Sequence, residues 1–185
     1  MENVKQLSMA ELEAGLEEIC RAPKVEGPLE LMVRRPEVDG RELLSEGELD
    51  VAEGLVGDNW QSRGSSGTED GSAHPEMQLN IMNSRAAMLV AQSKERWPLA
   101  GDQFYVDMDL SDENMPPGTQ LAMGSAIVEI TAVPHLGCKK FTARFGMDAM
   151  KFVNSTVGKS LNLRGICAKV VQPGTVRVGD IIRKM

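Results

Sequence analysis

A mainly β single domain with peripheral helices, α+β in class and barrel-like in form, is the architecture expected of this chain. Three observations point there. Short stretches alternate apolar and polar side chains, as where Leu29, Leu31 and Val33 interleave with Glu30, Met32 and Arg34, the period of a half-buried strand. Turn residues cut these stretches at short intervals, as in Asp39-Gly40, Gly57-Asp58 and Asn114-Met-Pro-Pro-Gly118, which suits many short strands better than long helices. Only a few segments carry the helical period instead. Several short strands separated by turns favour a closed or half-closed barrel.

Taken in order, Ser8-Met-Ala-Glu11 fits a capping box. Leu12, Leu16, Ile19 and Cys20 then share one helical face up to Pro23, which places Cys20 in a buried stripe. Residues 1–27 therefore read as an N-terminal helical extension and residues 28–185 as the barrel domain. The strand around Leu31 stops at Pro36, and residues 43–56 hold one or two more. From 61 to 75 there is almost no apolar side chain, so this stretch is a mobile loop by composition, either a lid or a disordered insertion. Met77, Leu79 and Ile81 alternate, and Asn83 or Ser84 caps a helix reaching about Arg96. Gly101-Asp102 opens the clearest strand, with Phe104, Val106, Met108 and Leu110 on one face and Tyr105, Asp107 and Asp109 on the other. Leu121 and Met123 mark a short strand, and residues 126–133 a longer β-branched one. Phe145, Ala149, Phe152 and Val153 share a helical face. The chain closes on an expected hairpin, residues 164–171 turning at Pro173-Gly174 into residues 175–182. Three helices at most are expected. Gly-Asp recurs at 57–58, 101–102 and 179–180, but it is a common turn pair and carries little weight alone.

Composition narrows the function. The hydrophobic fraction is 42%, enough for a core, yet no apolar run approaches the roughly 18–20 residues that span a bilayer. The first residues are polar and lack the apolar centre of a signal peptide, so a cytoplasmic location away from the membrane is expected. A net charge of −7 and an aromatic fraction of 4% argue against nucleic-acid binding. Three cysteines, an odd number, do not make a disulfide framework, and they are too few for an iron–sulfur cluster. Neither G-x-x-x-x-G-K-[ST] nor G-x-G-x-x-G occurs.

The chemistry concentrates between Ala132 and Gly146, where His135, Cys138, Lys139, Lys140 and Arg144 fall within ten residues. A thiol works as nucleophile or metal ligand when it is a thiolate, and nearby cations favour that form. Gly137 lets the backbone turn tightly beside it. Lys139, Lys140 and Arg144 suit an anion, whether the thiolate or a phosphate on a bound molecule. The opposing reading is a buried cysteine at a strand end with lysines facing water. A zinc site from His135, Cys138, Cys167 and His74 lacks any C-x2-C pair, and a cysteine–histidine hydrolase lacks a well-spaced base. Arg164 is either an anion clamp or a strand-end arginine paired to an acid.

Several pieces, in order, resemble the MOSC domain, the module named for the C-terminal part of molybdenum cofactor sulfurases. They are Gly54-Leu-Val-Gly-Asp58, Gly101-Asp-Gln-Phe-Tyr-Val106, Gly124-Ser-Ala-Ile-Val-Glu-Ile-Thr131, Pro134-His-Leu-Gly-Cys-Lys139, Arg164-Gly-Ile-Cys-Ala-Lys-Val-Val171 and Pro173-Gly-Thr-Val-Arg-Val-Gly-Asp180. The resemblance implies a MOSC-type barrel holding a cysteine in a pocket, with molybdenum cofactor as ligand. Carried over, it makes Cys138 the catalytic thiol and molybdenum ligand. Asp58 and Arg164 become pocket residues, and the lysine after the cysteine falls on Lys139 or Lys140. The cofactor's phosphate needs cations, for which Lys139, Lys140, Arg144, Arg164 and Arg63 are the supply, and His135 joins them among the cofactor-binding residues. It further implies reduction of N-hydroxylated compounds or transfer of sulfur, with an electron or sulfur donor protein as partner. Pyridoxal phosphate enters only through the family's association with sulfurases. The chain departs from the family at His135, where many relatives carry Arg, at Gly137, where they carry Pro, and at Ser72-Ala-His-Pro-Glu-Met77. A binding module that keeps the barrel without redox chemistry is the alternative.

Overall fold

The computed structural model describes residues 4–185. The chain enters through helices α1 (Met9–Ala14) and α2 (Leu16–Cys20). Ser8 completes the capping box, accepting from the Glu11 amide while the Glu11 carboxylate takes the Ser8 amide. The single helix expected here breaks at Gly15, whose absent Cβ leaves room for Leu89; a methyl there would lie 2.6 Å from that side chain. The apolar face continues through α2, with Leu16 packed against the same helical core. Leu12 and Ile19 stay buried, but Cys20 is exposed, contrary to its expected place in the buried stripe.

Strands β1 (Glu26–Arg34), β2 (Glu42–Leu44), β3 (Glu46–Asp50) and β4 (Gly54–Leu55) follow, then the short helix α3 (Trp60–Arg63). After β5 (Leu79–Asn83) comes α4 (Ser84–Ala91), capped by the Asn83 side chain on the amides of Arg85 and Ala86. It stops short of Arg96, because Gln92 turns left-handed and residues Lys94–Ala100 tighten into a 3-10 helix containing Pro98. Then come β6 (Phe104–Val106), β7 (Gln120–Met123) and β8 (Ala126–Ile130), and helices α5 (Lys139–Phe145), α6 (Met147–Asn154) and α7 (Thr156–Ser160). Strands β9 (Ile166–Gln172), β10 (Gly174–Arg177) and β11 (Ile181–Lys184) complete the chain. Among the described residues there are seven α-helices rather than three, because Gly15, Gly146 and Ser155 divide what the apolar periods suggested were continuous runs, and because α3 forms at the start of the stretch expected to be a loop.

Strands β1, β11, β7, β8, β9, β5 and β6 pair in that order, and β6 returns to β1, closing a seven-stranded barrel. Only β5 and β6 run parallel, joined across α4, as a parallel pair requires a crossover. Strand β2 hangs from the end of β1. The expected terminal hairpin does not form. Strand β9 pairs with β8 and β5, while β10 leaves the ring to pair with β3 in a small second sheet. Pro173 offers no amide to continue the ladder, and Gly174 fits only without a side chain, since a Cβ would sit 2.5 Å from the Ala126 amide.

Two apolar cores result. Phe104, Val106, Met108 and Leu110 point into the barrel, as their alternation predicts. Tyr105 faces a helical layer with Leu12, Trp97, Phe141 and Phe152, its hydroxyl donating to the Trp97 carbonyl at 2.6 Å.

Candidate functional site

At the end of the barrel where β1 stops and β6 and β9 begin, two Gly-Asp turns each give a buried carboxylate to a buried arginine. Gly57 (φ +81°) and Gly101 (φ +98°) take left-handed conformations that β-carbon-bearing residues resist. Asp58 receives Arg35 through the backbone amide (2.8 Å), Nε (3.0 Å) and Nη2 (2.7 Å), and also the Trp60 amide and Gln103 Nε2. Arg35 Nη1 reaches the Gly101 carbonyl at 2.8 Å, tying the two turns together. In the second turn, Arg164 donates to Asp102 Oδ2 at 2.5 Å and to the Ala100 carbonyl at 2.7 Å, with its guanidinium 5.1 Å from the centre of the Phe141 ring.

His135 completes the buried group. Its Nδ1 lies 3.3 Å from Asp102 Oδ1, with the imidazole 14% exposed, but off the line of a formed hydrogen bond. Burial, then the charges of Arg164, Arg35 and Arg63, push His135 well below the ordinary histidine value, so the ring is neutral at pH 7. Burial raises the Asp102 carboxyl against the opposing pull of Arg164. Gly165 makes this approach possible: at φ +108°, a Cβ would lie 2.6 Å from the Ile81 carbonyl and 3.1 Å from Asp102 Oδ1.

A cleft of about 460 Å³ opens above this framework. Arg35, Arg41, Arg63, Lys140, Arg144 and Arg164 line it, against only Glu37 and Asp39 among carboxylates, and Cys138 stands on its wall. Arg41 donates to the carbonyls of Pro98 and Gly40, and neither Arg41 nor Arg63 forms an ion pair among the described residues. Burial and neighbouring arginines lower both guanidinium pKa values, yet arginine stays charged. Crowded cations without counter-charge favour an anion.

Cys138 is exposed and precedes the first turn of α5. Its position is set one residue upstream. Asn154 at the end of α6 accepts from the Gly137 amide (2.8 Å) and donates to the Gly137 carbonyl (3.0 Å). A Cβ at 137 would crowd Val153 at 3.0 Å. A proline there would have no amide to give Asn154.

Of the residues singled out in the sequence, Cys138, Lys140, Arg144, Arg164, His135 and Arg63 meet in this one cleft. Lys140 and Arg144 lie one turn apart and both reach Asp39. Lys139 lies instead with Gly137, Cys138, Thr142, Met147 and Met150 on a neighbouring shallow surface. Asp58 sits behind the cleft and orients Arg35. Arg35, Arg41, Asp102 and Asn154 were not anticipated. The repeated Gly-Asp pair was the signal for Asp102; Arg35 and Arg41 gave none.

A closed barrel with a basic, thiol-bearing cleft at one end is the class of protein that fold and site define. The chain belongs to the MOSC domain family, whose model matches residues 58–183, a family associated with molybdenum cofactor binding. Among solved structures it is similar to the YUAD protein from Bacillus subtilis (TM-score 0.58, 16% identity, covering 85% of this chain and 94% of that one). It is also similar to YiiM from Escherichia coli (TM-score 0.57, 18% identity, 86% and 69%) and to YiiM from Geobacillus stearothermophilus (TM-score 0.52, 15% identity, 86% and 73%). At these identities the likeness is one of fold. No curated protein matches the chain in sequence.

Proposed function

We propose that the protein binds molybdenum cofactor in the basic cleft beside Cys138 and uses it to reduce N-hydroxylated compounds or to pass on sulfur. The observation that carries this reading is the exposed Cys138 sharing one cleft with six cationic side chains, two of them without an ion-pair partner. The residues fit the group. Arg41 and Arg63 suit its phosphate, and a soft thiolate suits a sulfur-loving metal. When bound, the cofactor supplies the redox-active centre.

The chain's own residues do the rest. Asn154 and Gly137 fix the backbone from which Cys138 projects. The Arg35–Asp58 and Arg164–Asp102 pairs hold two guanidinium groups rigidly at the floor. The neutral His135 carries one unprotonated ring nitrogen that can accept a proton or hydrogen bond. As a reductase the protein takes electrons from a partner, since its three cysteines are too few for a cluster of its own.

The test is metal content after expression with and without cofactor synthesis. Near-stoichiometric molybdenum, lost in Cys138→Ser and reduced in Arg63→Gln, supports the assignment. A wild-type protein that stays metal-free under both conditions overturns it in favour of a binding module without redox chemistry.

A further inference from the structure

The cleft already contains one anion of its own. Asp39 sits in the loop between β1 and β2, and its Oδ1 alone meets both Lys140 Nζ (3.1 Å) and Arg144 Nη2 (2.8 Å) on α5. Its backbone is left-handed at φ +64°, a conformation few residues other than Gly, Asn and Asp accept; that twist carries the carboxylate to the helix. We propose that Asp39 is a built-in competitor for the cleft: its carboxylate holds the place between Lys140 and Arg144 that the ligand's anionic group takes, and binding displaces it. The proposal rests on the cleft being an anion site.

Three features suit displacement. Asp39 and Lys140 are each 58% exposed, and ion pairs at that exposure are weak. One carboxylate oxygen serves both cations, whereas a phosphoryl group presents three acceptors and more charge. The loop tethers Asp39 beside the cations, so it competes at a high effective concentration. Its pKa is lowered, chiefly by its hydrogen bond with Lys140, so it is an anion at neutral pH.

The test titrates inorganic pyrophosphate at about 0.15 M ionic strength, where unpaired surface charges are screened within about 8 Å, by calorimetry, into the full chain and three variants. Asp39→Asn keeps the left-handed backbone and removes the charge. Glu37→Gln removes an equal charge from the same cleft, where Glu37 makes no ion pair among the described residues. Arg63→Gln reports on the cleft itself. Asp39→Asn is expected to tighten binding about three- to tenfold, the size of one or two exposed ion pairs, with Glu37→Gln changing it by no more than about twofold. Equal effects of the two would mean a general field effect and overturn the competitor. Weaker binding in Asp39→Asn would mean that Asp39 orients the cations, and would overturn it too. If Arg63→Gln weakens binding while either of those holds, the anion site stands and only the competitor falls. If Arg63→Gln binds like the wild type, or no protein binds pyrophosphate, both fall.

Discussion

His135 and Cys167 show how burial decides what single side chains do. His135 is held neutral by burial and by Arg164, Arg35 and Arg63, with Asp102 as the one carboxylate beside it. Its folded-state pKa lies below the unfolded one, so the unfolded chain takes up the proton first as pH falls. Stability is therefore whole above the ordinary value of 6.5 and is lost below it, by up to about 1.4 kcal/mol per pH unit. His135→Gln should flatten the slope of urea stability between pH 6.5 and 5.5 relative to wild type; an unchanged slope would mean the ring is already charged in the fold. Cys167 is fully buried, its thiol pushed up to about 12 mainly by burial. Iodoacetamide at pH 7 should thus modify Cys138 and Cys20 readily and Cys167 only on unfolding, which mass spectrometry resolves site by site. The sequence placed Cys138 correctly among cations, but not Cys20. Its side chain has the right spacing for the buried stripe, but α2 ends at Cys20 and leaves it at the exposed edge of that stripe.

Among the elements, the loop carrying Cys138 is pinned by α6 rather than by its own strand. Two hydrogen bonds from Asn154 hold both backbone polar groups of Gly137. Asn154→Ala removes them from a half-buried position and should destabilise by about 1–3 kcal/mol in urea unfolding, while raising the alkylation rate of Cys138 and leaving Cys167 protected. Unchanged Cys138 reactivity would show that the loop is held elsewhere. The helical face of Phe145, Ala149, Phe152 and Val153 was legible because periodicity is local. Strand pairing was not. Pro173-Gly174 has the local chemistry of a hairpin turn, but the partner of β10 is β3, near the other end of the chain. Nothing within a short window distinguishes the two outcomes.

For the whole molecule, the decisive join is the buried Arg35–Asp58 pair. It links the end of β1 to the turn after β4, and through Gly101 and Gln103 to the start of β6. The glycine and aspartate of each turn could be read from the sequence, and so could Arg164 as an arginine open to pairing with an acid; Arg35, and which carboxylate each arginine meets, could not, because only the closed ring brings residue 35 to 58 and 164 to 102. Arg35 is 4% exposed and the Asp58 side chain not at all, so solvent screens little of the interaction. Removing one partner leaves the other buried and uncompensated, which typically costs about 3–5 kcal/mol. Asp58→Ala should shift the urea midpoint accordingly. Arg35→Met combined with Asp58→Ala should recover part of the loss, because the double variant buries no lone charge. If instead the double variant loses the sum of both single losses, the hydrogen bonds from Arg35 to Gly101 and from Asp58 to Trp60 and Gln103 hold the barrel end closed, rather than the charge pairing. The same comparison then separates the two roles at the cleft floor: charge balance predicts partial recovery of stability with no recovery of anion binding, since the arginine itself is gone.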